Sequence, residues 1–423
     1  MRFITLCLLC LVMGSTLLAQ DSEGAVVRSI EISGPHKLDR DFILSRLTTK
    51  LNSTTTWDQL SLDQIRLNRL NGVQHTVVEV DTLPDESLRI RYDIVGQTTI
   101  KPQIGLGFID ESYWFQIGAA EYNLNHKNQT LLGYFLSQDG RANGKLYYEN
   151  ANYKGKQWGF WANAFRNASF EPLFFRSGQV DYKYDLTGVG VGGINYYGLL
   201  DKLTYSVTYF NEKYTKINTS TENTAGPDFL SQEKLLLSIS YLHDKLKYDF
   251  FYRTGYQHQI LIQNVQTFGE DLPFFSAAYE GRYYLKPGPK TNLAGQLRLA
   301  VGTNNDTPFA PFVLDSNFNL RGVGNRVDRA TAQLVLNLEV RQTVYRHQAF
   351  AFQMVVFSDT GSWRPPGAEL ISVFEVGNVR SFFGGGIRFI LTKVYDSVIR
   401  LDYGIDILDA KEQGFVLGFG QFF

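Results

Sequence analysis

The sequence predicts a membrane all-β protein: a transmembrane antiparallel β-barrel of about sixteen strands, preceded by one small periplasmic β-α-α-β-β domain. Three observations carry this expectation. From about residue 98 onward the helical period disappears and runs of roughly ten alternating residues replace it. Short turns alternate strictly with long connections through that region. No segment past the first twenty residues approaches the ~20 apolar residues of a spanning helix, and mean hydropathy is only -0.18. A barrel accommodates such a value because its polar lumen dilutes its apolar face.

The chain opens on Met1-Arg2 and an apolar run from Phe3 to Met13, with small residues and Ala19-Gln20 ahead of Asp21. A basic start, a short apolar core and a small-residue exit form a secretory signal peptide, assigned to residues 1–20. A membrane anchor would need a longer core. Both cysteines, Cys7 and Cys10, fall inside that leader. The exported chain is therefore expected to be thiol-free, with neither disulfides nor Cys-held metal. A formal charge of -1 without a long charge run carries no nucleic-acid footprint, so nucleic acid is not an expected partner.

Residues 25–97 read as a small mixed domain. "VVRSIEISG" alternates Val27, Ser29 and Glu31 against Arg28, Ile30 and Ile32, which is a strand. "LDRDFILSRLTTK" puts Leu38, Phe42, Ile43 and Leu47 on one helical face with Asp39 near its start. A second helix is expected over "TWDQLSLDQIRLNRLNGV", with Leu62, Ile65 and Leu70 at helical spacing and Gly72 as its stop. Two strands follow, "HTVVEVDTL" and "LRIRYDIVG", separated by the turn "PDES".

Residues 98–423 read as the barrel. The short turns are "NHKN", "YKGK", "LLDK", "HDK", "KPGPK", "YRHQ" and "KVYD"; the long connections are expected near 169–186, 216–231, 263–273, 303–330 and 361–380. Strands of about 9 to 11 residues with short turns on one side and long loops on the other describe an outer-membrane barrel, and closure removes the exposed edges that aromatic-rich strands would otherwise present. Parity assigns the faces. Leu293, Leu297, Leu299 and Val301 oppose Asn292, Gln296 and Arg298; Leu334, Leu336, Leu338 and Val340 oppose Gln333, Asn337, Glu339 and Arg341. An Arg on the lipid face near the midplane costs about 2–4 kcal/mol, so the polar set is expected in the lumen. In "GFVLGFGQFF" the same reading sends Phe415, Leu417, Phe419 and Phe423 outward.

One stretch resists this grammar. "NLRGVGNRVDRA" sets Arg321, Arg326 and Arg329 among Gly322 and Gly324 in a connection. Downstream, "FSDTG" carries Asp359 and Gly361, and Glu339 faces inward. Two inward carboxylates would form a charge-assisted cluster with Arg321 if its loop entered the barrel, since a guanidinium bridges carboxylates bidentately. Arg388, Arg400 and Asp402 add lumenal charges on the next strands. "GVGVGG" (Gly188–Gly193) lacks a following Lys-Ser/Thr, the histidines are scattered, and no nucleophile motif stands out. No cofactor, metal or enzymatic activity is expected.

A leader, a β-α-α-β-β domain, "LRGV" (Leu320–Val323) before the fifth strand from the end, and "FSDTG" together resemble the BamA/TamA superfamily of outer-membrane assembly and translocation proteins. There the periplasmic module is the POTRA domain, and an "[VI]RG[FY]" loop folds into the barrel to meet the acid of "FxDxG". Val323 stands here in place of the usual aromatic, and one POTRA-like domain in place of several. The resemblance implies a latch of Arg321, Gly322, Asp359, Glu339 and Gly361. It also implies a barrel seam between the first and last strands, with Pro102, Gly105 and Gly107 on one side and Phe419 and Phe423 on the other. Implied partners are unfolded outer-membrane or secreted polypeptides, outer-membrane lipid and accessory assembly subunits. Assembly or insertion of outer-membrane proteins is the leading reading. The alternatives are a dedicated polypeptide translocator for one or few clients and a passive channel.

Overall fold

The computed structural model of the protein describes residues 25–109, 112–138, 140–155, 157–175, 178–217, 226–249, 251–268, 272–305, 311–314, 319–323, 328–408 and 412–423. The expected leader, residues 1–20, lies outside the described residues.

The first elements are β1 (Ala25–Ser33), α1 (Arg40–Arg46), a two-residue β2 (Thr54–Thr55), α2 (Trp57–Asn68), β3 (Val73–Thr82) and β4 (Leu88–Gly96). They build a sheet of order β2-β1-β4-β3, in which β1 runs parallel and β3 antiparallel to β4. Helix starts are set locally. The Asp39 carboxylate accepts the Phe42 N–H at 2.8 Å, and Thr56 with Gln59 forms a reciprocal capping box. Val27, Phe42, Ile43, Leu67, Ile90 and Ile94 lie in the core between helices and sheet.

The inward face of α2 differs from the expected one. Leu60, Asp63 and Leu67 point into the core, whereas Leu62 is exposed and Ile65 only half-buried. The reason is a buried acid. Asp63 accepts the Thr48 N–H at 2.7 Å, the Thr48 hydroxyl at 2.6 Å and the Thr49 N–H at 2.9 Å, with the Tyr92 hydroxyl at 3.4 Å. A carboxylate at the centre of the packed face hides that face from a search for apolar spacing.

From residue 100 the chain is built of strands. They are β5 (Ile100–Pro102), β6 (Gly105–Ile109), β7 (Ser112–Leu124), β8 (Gln129–Gln138), β9 (Arg141–Asn150), β10 (Trp158–Phe175), β11 (Gly178–Tyr197), β12 (Asp201–Lys216) and β13 (Phe229–Asp244). Then come β14 (Lys247–Asp249), β15 (Tyr252–Thr267), β16 (Phe274–Gly288), β17 (Thr291–Gly302), β18 (Phe312–Leu314), β19 (Asp328–Ala330), β20 (Ala332–Arg346), β21 (Phe350–Arg364), β22 (Val379–Leu391), β23 (Val398–Asp406) and β24 (Gln413–Phe419). The order closes as a barrel in which β24 stands beside β5, and among the described residues the ladders from β7 round to β24 are antiparallel. Both β5 and β6 pair with β7, β14 pairs with β15, and β18 with β19 forms a separate hairpin. Among the described residues no helix is long and apolar enough to cross a membrane.

Alternation sorts the wall as parity demands. On β20 Leu336, Leu338 and Val340 are exposed on the outer face while Asn337, Glu339 and Arg341 are buried inside. Strand length departs from expectation: β10 and β11 run 18 and 20 residues, β12 and β13 16 each. Most of the connection expected at 169–186 is therefore strand. Leu173, Val180, Tyr182, Tyr184 and Tyr214 pack together along this extension, giving it a core of its own.

The N-terminal unit docks on the short turns. Arg69 donates to the Leu199, Asp244 and Leu246 carbonyls at 2.9, 2.7 and 3.1 Å, and the Gln74 amide to the Thr392 carbonyl at 2.5 Å. Thr98, in the link to β5, exchanges backbone hydrogen bonds with Lys393 and Tyr395. A cavity of about 500 Å³ remains between unit and barrel mouth, lined in part by Arg46, Arg66, Glu149, Tyr196 and Asp244. Burial, and then the neighbouring Arg66, push the Arg46 guanidinium below its ordinary value.

Asp63→Ala leaves several buried donors without an acceptor and is expected to destabilise the N-terminal unit by about 2–4 kcal/mol. Limited proteolysis checks it: cleavage rises within residues 25–97 while the barrel keeps its heat-modifiable migration on gels.

Candidate functional site

The connection between β17 and β20 does not stay outside the barrel. Residues 319–323 reach the lumen, where Leu320 packs with Ala330, Val335 and Phe382 and Arg321 is completely buried. Backbone geometry requires glycine at the next position. Gly322 has φ +105°, and a Cβ there would sit 2.8 Å from the carbonyl carbon and oxygen of Gly404. Gly404 in turn would place a Cβ 2.4 Å from the Arg321 carbonyl oxygen. The two backbones interlock because neither carries a side chain.

Arg321 then spends its donors on two acids. Its Nε and Nη2 bind the Asp359 oxygens at 2.8 and 2.9 Å, its backbone N–H donates to the same carboxylate at 3.0 Å, and Nη1 donates to Glu339. Glu339 also accepts from Arg341 and faces Arg388 at 3.6 Å. Arg388 donates to Asp402 at 2.6 Å, and Arg400 reaches the other Asp402 oxygen at 3.2 Å. The network thus runs from the loop across β20, β21, β22 and β23. Each member alone would carry a desolvation penalty of several kcal/mol; only mutual pairing offsets it.

Two aromatic faces complete the seat of Arg321. Its guanidinium carbon lies 3.7 Å from the Phe357 ring centroid and 4.1 Å from that of Phe422. Phe422 belongs to a tail that sequence parity missends. Phe415, Leu417 and Phe419 face outward, but Gly420 at φ +86° ends the strand and turns the chain inward. Phe423 is therefore buried in the lumen rather than on the lipid face; the Arg341 guanidinium lies over its ring and donates to its oxygen at 2.9 Å.

The structure brings Arg321, Gly322, Asp359, Glu339, Arg388, Arg400 and Asp402 together. Gly361 lies opposite Leu320, whose Cδ atoms would stand 3.1 Å from an added Cβ. Pro102, Gly105 and Gly107 lie on the first wall strand, paired with Ala119, Gln116 and Trp114 of β7, and Phe419 ends β24. Arg326 lies outside the described residues, and Arg329 is half-buried on β19. Sequence reasoning placed Arg341 inward without joining it to the cluster; its spacing of two from Glu339 on one strand face was the available signal. Phe357 shares the parity of Asp359, so it too was legible. Among the described residues no group of His, Cys, Asp and Glu could hold a metal ion.

A closed antiparallel wall with an arginine loop bound to acids inside it defines a β-barrel whose fold is shared by solved BamA and CdiB structures. Its likeness to solved structures is specific about that fold. BamA from Haemophilus ducreyi lacking POTRA domains 1-3 is 14% identical, with TM-score 0.54 over 93% of this chain and 83% of that chain. CdiB from Acinetobacter baumannii is 13% identical, with TM-score 0.57 over 94% and 73%. CdiB from Escherichia coli is 8% identical, with TM-score 0.60 over 92% and 75%. No family model and no curated protein sequence matches the chain.

Arg321→Ala strands Asp359 and part of Glu339, and is expected to cost the barrel about 3–5 kcal/mol. Arg321→Lys keeps the charge but loses the fork and the stacked plane, and should recover only part of it. Thermal melts followed by gel mobility rank the three proteins; equal midpoints would remove the cluster from any structural role.

Proposed function

We propose that this protein is an outer-membrane assembly factor that receives unfolded polypeptide through a POTRA-like periplasmic domain and passes it to a barrel seam. The observation that carries the proposal is the loop inside the barrel: an Arg321 seated on Asp359 and Glu339 of the strands leading to β24. A simple pore has no use for a buried ion network tying an outer loop to the last strands of its wall. A sixteen-strand reading takes β5 with β6 as one strand, and β14 as the continuation of β13, since both pair with β15 on the same side.

Other features support the same reading. β3, which carries "HTVVEVDTL", stands at the end of its sheet order among the described residues, where an extended client can add a strand. The seam would fall between β24 and the first wall strand. β24 spans seven residues, and the first strand is split at Pro102, which has no N–H to give a ladder. Polypeptide clients, outer-membrane lipid and accessory subunits follow as partners. The lumenal cluster would act as a latch that holds the seam strands in one register until a client engages.

Depletion of the protein followed by quantitative outer-membrane and secreted proteomics tests this. Assembly activity requires many barrel proteins to fall together. Loss of a single exported product, with other barrels at normal abundance, would replace the proposal with a dedicated translocator.

A further inference from the structure

The connection from β21 to β22 carries four large apolar side chains that nothing in the chain covers among the described residues: Leu370, Ile371, Phe374 and Val376, between 55% and 81% exposed. They sit on two 3-10 turns, Leu370–Phe374 and Val376–Asn378. If this connection stood in water above the barrel, such a cluster would be costly. Its position says otherwise.

Register fixes which side of the wall it occupies. Val340 pairs with Val356, Leu338 with Ser358, Leu336 with Thr360 and Leu334 with Ser362, so Ser362 shares the outer face, whose apolar side at this height is β20. Yet Ser362 is buried, and its hydroxyl donates to the Val373 carbonyl at 2.5 Å. Ala332, at the end of the same outer face, is also buried. The 3-10 turn therefore lies flat against the outside of β20 and β21, with Ser372 and Val373 toward the wall. Leu370, Ile371, Phe374 and Val376 point away from it. The segment is held there: Asn305 binds Gly367 and Ala368 at 2.8 Å, and the Asn378 amide donates to the Ser372 carbonyl at 2.8 Å.

Height completes the argument. The outward face of β20 from Val344 to Leu334, apolar except at Gln342, spans ten residue steps that rise roughly 34 Å along the strand and about 25 Å across a bilayer at barrel tilt. That is the height of the apolar band, so Ser362 and the turn covering it sit at its outer boundary. Above it the chain is polar again, with Arg364 on the same strand satisfied by Thr331 and the Gly302 carbonyl. Glu369 and Glu375, exposed at either end of the turn, suit the headgroup level.

We infer that residues 369–376 form an outward-folded interfacial anchor whose Leu370, Ile371, Phe374 and Val376 insert into the outer leaflet beside β20 and β21. The occupant is lipid at the boundary of headgroups and acyl chains, the depth at which amphipathic segments bury Phe and Leu. Continuity with Leu334, Leu336 and Leu338 on β20, the strand the turn lies against, selects lipid over a soluble partner. The inference rests on the barrel spanning a bilayer and is independent of what the protein transports.

The test places one environment-sensitive fluorophore at Phe374→Cys or Ile371→Cys, with Cys7 and Cys10 changed to Ser, in the full chain reconstituted in phosphatidylethanolamine–phosphatidylglycerol vesicles. Met354→Cys marks the band and Asp58→Cys marks water; gel heat-modifiability confirms that each variant folds. Quenching of the 374 and 371 labels by a shallow acyl-chain nitroxide should fall within about twofold of the strongest lipid quenching seen, with iodide quenching at least severalfold below that at 58. Iodide quenching equal to that at 58 overturns the anchor. Shielding from iodide without nitroxide quenching also overturns it, because the cover is then protein. If Met354 itself escapes the nitroxide, the membrane reading fails and the anchor with it; if only 374 and 371 escape, the anchor alone fails.

Discussion

A guanidinium with no access to water governs the wall from β20 to β23. Arg321 cannot shed its charge, so the surrounding strands must supply acids in a planar arrangement that matches its fork. Asp359 does so from β21 and Glu339 from β20. Those acids then need further cations, which brings in Arg341 and Arg388, and Arg388 in turn needs Asp402. Small residues follow from the same cause: the loop backbone reaches its acids only where Gly404 leaves room. One inserted side chain thus dictates residue type at successive positions on several strands.

Much of this was legible in the sequence, because a strand's period of two leaves little freedom. Once Leu336, Leu338 and Val340 go to lipid, Glu339 and Arg341 have only the lumen. The pairing of Arg321 with Asp359 and Glu339 needed more, namely the likeness of "LRGV" and "FSDTG" to a known pair of motifs. What escaped has a physical reason in each case. Phe423 was sent outward because parity was carried through Gly420, where a positive φ ends the strand. Apolar spacing points to Leu62 and Ile65 on α2 because the core face there is centred on Asp63, a buried charge that such spacing cannot register. The length of β10 and β11 escaped because strands outside the membrane no longer need an apolar outer face, so their alternation weakens while their pairing continues.

Three parts of the chain close on the barrel interior. The loop enters from one end, the Phe422–Phe423 tail turns in from the wall, and the N-terminal unit covers the mouth through Arg69 and Gln74. The loop and the tail meet at the arginine cluster, while the N-terminal unit holds the short turns. Proteins sharing 8–14% identity with this chain share its fold, which is possible because a barrel constrains the face of a residue far more tightly than its identity.

The unequal strands have a consequence for the outer surface. β10 and β11, at 18 and 20 residues, rise roughly 60 Å along their own axes and about 45 Å along the membrane normal, well beyond the apolar band. β23 and β24, at nine and seven residues, do not. The rim is therefore cut on a slant: a parapet on one side, braced by its tyrosines, and a low sill where the last strand meets the first. Anything that comes upon this end of the barrel meets the parapet long before it can reach the sill.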